Sequence, residues 1–167
     1  MRKLAAPLAI LIASFVILSC ASSGDDDPNK TKTDAFSDYT RWAKVNSETI
    51  TGAEGGPLGS AHEGAAGYRE VFINSVGEDV SNGEAAVPYP FGTIIVKESY
   101  KASGGQKGDM TAITVMVKRE DDFDAENGNW EYIMLTPAMK VQGQGKLAAC
   151  NSCHDAADED WVFTDNR

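Results

Sequence analysis

Hydrophobic positions along this chain follow three rhythms. An almost unbroken apolar run, Ala5 to Leu18, stands behind a short basic start, Met1-Arg2-Lys3. A polar stretch follows, Ala21 to Thr33, with a triplet of aspartates and a proline. Beyond it, apolar residues recur with a period. Asp34 to Lys44 has Phe36, Tyr39 and Trp42–Ala43 at three- to four-residue spacing behind an aspartate suited to capping, which predicts a helix. Ser47 to Ala66 is rich in glycine and small polar residues and reads as loop. Gly67 to Val76, Gly92 to Tyr100, Met110 to Arg119 and Asn129 to Leu135 are β-branched and aromatic runs broken by turn residues, and they predict strands. Within Met110 to Arg119, Ile113, Val115 and Val117 share one face. Lys146 to Ala157 predicts a short helix. The expected fold is mainly β, of the α+β kind: an antiparallel sheet with an N-terminal helix and a C-terminal helix.

The apolar run is shorter than the roughly 20 residues that span a membrane, and with its basic start it predicts an export signal. Ile17-Leu18-Ser19-Cys20 resembles a bacterial lipobox, which implies cleavage before Cys20 and acylation of Cys20. An ordinary signal peptide and an uncleaved anchor are the competing readings. The expected organisation is a lipoprotein signal peptide at 1–19, a flexible tether at 20–33 and one folded domain at 34–167. That places the domain on the periplasmic side of a bacterial membrane, held by lipid. Ala21, rather than aspartate, follows the cysteine and leaves the outer membrane open as the destination. The formal net charge is −10 with no basic stripe, which argues against a nucleic-acid partner. The acidic surface suits solvation, or the steering of a basic redox partner.

The strongest chemical signal is Cys150-Asn151-Ser152-Cys153-His154. A C-x-x-C-H run is an attachment signal for a c-type haem: the thiols form thioethers and the histidine ligates iron. Positions i, i+3 and i+4 share a helix face, so all three side chains can meet one macrocycle. The predicted C-terminal helix is therefore the haem-bearing one. A redox dithiol would call for a βαβ context that is absent here, and a zinc site would need further paired ligands. The remaining cysteine and histidine, Cys20 and His62, are far apart in sequence. A disulfide stays open. One acylated and two haem-bonded cysteines account for all 3. The motif lies late in the chain, and no Met or His follows His154. Small cytochromes c place the motif early with a methionine ligand downstream, and the four-helix cytochromes c-prime need long amphipathic helices where this chain has β-branched runs.

Several stretches together carry a resemblance. They are His62-Glu63-Gly64, Tyr68 to Asn74, Tyr89 to Glu98, Met116 to Arg119, Gly128 to Tyr132, the haem motif itself and Asp160 to Thr164. In this order they resemble the cytochrome P-460 / cytochrome c-prime-beta family, from about Trp42 to Thr164. The resemblance implies a mostly antiparallel β fold and one covalent haem c. His154 would be the proximal iron ligand, opposite a site without a protein ligand. Some members oxidise hydroxylamine with a lysine cross-linked to the haem edge; others lack the link and bind nitric oxide or carbon monoxide. Lys97, in the GTIIVKE run, is the first candidate for such a link, although a strand lysine facing solvent is the simpler reading for it and for Lys118. His62 is a candidate sixth ligand or a polar loop residue. Met110, Met116, Met134 and Met139 are further ligand candidates, with Met116 and Met134 more simply read as core filler. Phe72 and Phe91 are candidate walls of an apolar pocket, or ordinary core. Expected partners are a small ligand, a redox protein and, through lipid, a membrane; a homodimer stays open. Three functions follow: a haem protein binding nitric oxide, a hydroxylamine-oxidising enzyme, and a six-coordinate electron carrier.

Overall fold

A computed structural model describes residues 30–45, 50–51, 67–157 and 159–163. The expected signal peptide, Cys20, most of the tether and His62 lie outside the described residues. Seven strands form one antiparallel sheet: β1 (Ala43–Lys44), β2 (Ile50–Thr51), β3 (Gly67–Ile73), β4 (Ile94–Ser103), β5 (Gln106–Lys118), β6 (Trp130–Leu135) and β7 (Val141–Gly145). The order is β1-β3-β4-β5-β6-β7, with β2 also paired to β3. Among the described residues there are also two short α-helices, α1 (Glu78–Ser81) and α2 (Ala148–His154).

The four long strands occupy the runs in which the sequence predicts them. β4 and β5 extend further than expected, because Gly104-Gly105 closes a tight hairpin between Ser103 and Gln106. Both glycines have φ in the left-handed region, where a side chain is strained. β7, with the sequence VQGQG, was not expected; it forms because the backbone of β6 supplies a hydrogen-bonding edge.

The predicted N-terminal helix is a correction. Asp34 to Lys44 folds as two 3-10 turns, Thr33–Phe36 and Tyr39–Arg41, and then joins the sheet as β1. A 3-10 turn repeats every three residues, so it also brings Phe36 and Tyr39 to one side. Thr31 also contacts the sheet. Its backbone N–H and hydroxyl donate to the buried Glu131 carboxylate at 3.1 and 2.7 Å, and Arg119 and Gln144 donate to the same carboxylate.

Alternation along the strands gives the sheet two unlike faces. Phe72, Ile94, Val96, Ile113, Val115, Val117, Ile133 and Leu135 point to one side and are sealed by Phe36 and Tyr39. Phe72 thus belongs to this core, where its ring meets Tyr39 edge-on at 5.5 Å, and not to a pocket wall. On the other side Ile73, Ile95, Tyr132, Tyr89 and Trp130 form a smaller cluster, against which Cys150 and Leu147 of the α2 region pack.

Candidate functional site

Helix α2 is only 7 residues long, yet it carries Cys150, Cys153 and His154 on one side. Asn151, buried between them, donates from Nδ2 to Asp124 Oδ2 at 3.1 Å, which ties the helix to the turn before β6. Neither cysteine is in a disulfide. Burial raises the Cys150 thiol above its ordinary value.

The helix lies over the second face of the sheet. The pairings Ile73↔Ile95, Ile95↔Met116 and Met116↔Tyr132 make one row across the strands. The next row runs Val71, Lys97, Thr114 and Met134. Between these rows and α2 is an open pocket with about 930 Å³ of empty space, counting the part open to solvent. Cys150, His154, Lys97, Arg69, Met116 and Tyr132 are among the residues lining it. Among the described residues no carboxylate lines the pocket; its charged walls are both cationic.

Lys97 is therefore not the solvent-facing lysine that the strand pattern favours. It is partly buried against the pocket. Burial, and then the Arg69 guanidinium, pull its ammonium down to about 7, with the Cys153 and Cys150 sulfurs acting the other way. An amine so lowered is partly neutral near pH 7, and the neutral form carries the lone pair that a nucleophile or ligand needs. Lys118 is a second correction: it is 7% exposed and ion-paired to Asp160 at 2.7 Å. Met116 and Met134 line the pocket, whereas Met110 and Met139 pack against the opposite core. Phe91 is 58% exposed and walls nothing.

His154 is buried, which lowers its tendency to protonate. Its Nδ1 lies 2.7 Å from the carbonyl oxygen of Trp161. A carbonyl can only accept, so Nδ1 carries the hydrogen and Nε2 the lone pair. That tautomer is the one a metal ligand bonded through Nε2 requires. The ring lies between Tyr132 and Phe163, at centroid distances of 5.2 and 5.4 Å. The Tyr132 hydroxyl is buried with no hydrogen-bond partner, and burial raises its pKa strongly.

The donor set fits a covalently attached macrocycle. The Cys150 sulfur, an imidazole in the ligand tautomer and an orphaned phenol meet a largely apolar pocket, with Cys153 one turn along the same helix, and a buried polar group without a partner costs stability unless something answers it. Sequence reasoning missed Arg69, Thr114, Tyr132 and Asp160. For Arg69 and Tyr132 a signal existed: each alternates with core residues in a strand packed on both faces.

A family model described as Cytochrome P460 matches residues 36–164. No curated protein matches the chain.

Proposed function

This chain belongs to the cytochrome P460 family, which implies a haem cofactor, and on that premise we propose that it is an exported, lipid-anchored c-type cytochrome binding nitric oxide or a similar small ligand. Cys150 and Cys153 would form the two thioethers, and His154 would ligate the iron. The haem, when bound, supplies an iron centre for small ligands and electrons. The side chains of this chain decide what reaches it. The observation that carries the reading is the meeting of Cys150, His154 and an apolar, open pocket on one sheet face. Apolar walls suit an uncharged gas.

Hydroxylamine oxidation is the second reading, and Lys97 favours it. A lysine in the pocket with a partly neutral amine is suited to the haem-edge link that the family resemblance implies. A six-coordinate electron carrier draws support from Met116 and Met134, thioethers on the pocket wall. Lipid anchoring rests on Cys20 and the apolar run before it.

Absorption spectra of the exported ferrous protein test these readings together. A high-spin spectrum that shifts on adding nitric oxide is expected; a low-spin spectrum indifferent to the gas would count against both ligand-binding readings. Lys97→Met abolishes any long-wavelength band if the link exists, and an unchanged band rejects Lys97 as the linked residue. Cys20→Ala moves the protein from the detergent to the aqueous phase if the anchor is lipid.

A further inference from the structure

The segment after α2 has a conformation that its own residues do not favour. Asp160 and Trp161 are consecutive non-glycine residues with φ of +48° and +62°. Aspartate tolerates the left-handed region, but for a side chain as bulky as tryptophan it is strained. Such a backbone persists only where its surroundings impose it. Here a set of contacts does so. Lys118 Nζ donates to both Asp160 carboxylate oxygens, at 2.7 and 2.8 Å. The Tyr89 backbone N–H donates to Asp160 Oδ2 at 2.7 Å. Trp130 Nε1 donates to the Asp160 carbonyl at 2.8 Å. Lys118 Nζ also donates to the Gly128 carbonyl at 2.7 Å, and the Trp161 ring rests on Gly128 so closely that a Cβ there would stand 2.5 Å from it.

Both members of the ion pair are more than nine-tenths buried, at 9% and 7% side-chain exposure. All of these contacts converge on one outcome: the Trp161 carbonyl faces Nδ1 of His154. We propose that the buried Lys118–Asp160 pair is a positioning device for the proximal histidine, clamping the strained 159–163 loop so that Trp161 fixes the tautomer and ring orientation of His154. The proposal rests on the reading of His154 as an iron ligand. An acceptor on Nδ1 makes an imidazole a stronger donor through Nε2, so the clamp sets how firmly the ligand binds and holds the iron potential down. Neither Lys118 nor Asp160 lines the pocket; they act through the loop.

The test compares the haem-loaded wild type with Asp160→Asn and with the doubly neutral Lys118→Met/Asp160→Asn chain, which leaves no uncompensated buried charge. Lys44→Met, which breaks an exposed ion pair with Glu70, is the control. Resonance Raman of the ferrous protein reads the iron–histidine stretch, and redox titration reads the potential. Both variants are expected to lower the stretch and raise the potential at unchanged haem content, while the control moves neither. An unchanged stretch and potential in the folded, haem-loaded double variant would overturn the clamp. If the wild type holds no covalent haem, the ligand reading fails separately. The ¹⁵N shifts of His154 in the full chain as purified then still read the clamp: loss of the Nδ1–H tautomer in the double variant supports it, and retention refutes it.

Discussion

The two faces of the β3–β6 sheet are built from alternate residues of the same strands, and they do opposite things. On the sealed face, Val96, Val115 and Ile133 meet Phe36 and Tyr39 with almost no exposure. Their neighbours Lys97, Thr114 and Met134 face the pocket, where among the described residues the cover is looser; Met134 remains 42% exposed. A sheet that has secured one core can give part of its other face to a pocket. The sealed face supplies the apolar burial that stabilises the fold. The open face can then hold groups that a core would exclude: two cations, an orphaned phenol and the Cys150 sulfur.

The sharpest break of this contrast uses adjacent residues of β6. Ile133→Ala removes a fully buried side chain and is expected to cost about 2–5 kcal/mol in urea unfolding. Met134→Ala, one residue on, should stay within about 0.5 kcal/mol in the haem-free chain. Equal losses would mean that the faces do not differ.

The next effect is carried by Lys97. Its folded pKa of about 7 lies below the ordinary 10.5, so between those values the unfolded chain binds more protons. Stability of the haem-free chain therefore rises with pH across that window, and the penalty is complete below pH 7. Lys97→Met should stabilise most at or below pH 7 and not at all above about 10.5, each unit of depression being worth about 1.4 kcal/mol. A pH-independent difference in stability from wild type would place Lys97 in solvent.

The smallest effect belongs to the sheet edge. Glu70 is partly buried, which opposes its ionisation, but hydrogen bonds from Lys44 and Lys107 hold its carboxyl below the ordinary 4.5. That contribution is present above pH 4.5 and is lost as acid protonates Glu70. Lys44→Met should cost less than about 1 kcal/mol at neutral pH, because the pair is solvent-screened.

The sequence discloses the sealed face better than the open one. Ile94, Val96, Ile113, Val115 and Val117 announce strands by composition and alternation, and the structure pairs them as antiparallel neighbours. β7 was not legible, since Gln142, Gly143, Gln144 and Gly145 have no strand signal of their own and rely on the edge of β6. The N-terminal turns differ from the predicted helix because Phe36 and Tyr39, three apart, fit a 3-10 turn and an α-helix alike. At the site, Cys150, Cys153 and His154 stood out as a motif, but the pocket that they face is a product of strand register. Lys97 enters it because it pairs with Val71 and Thr114 in a central strand buried on both faces. Asp160 could not be foreseen as a clamp, for its partner Lys118 lies 42 residues away along the chain.

The central claim is that the open face holds a covalent haem through Cys150 and Cys153. Intact-mass measurement of the exported protein after full denaturation tests it most directly. The account predicts a mass increase of one haem that survives unfolding, and its loss in Cys150→Ala/Cys153→Ala. A denatured wild-type chain with no added haem mass, or with haem that washes away on unfolding, would contradict it.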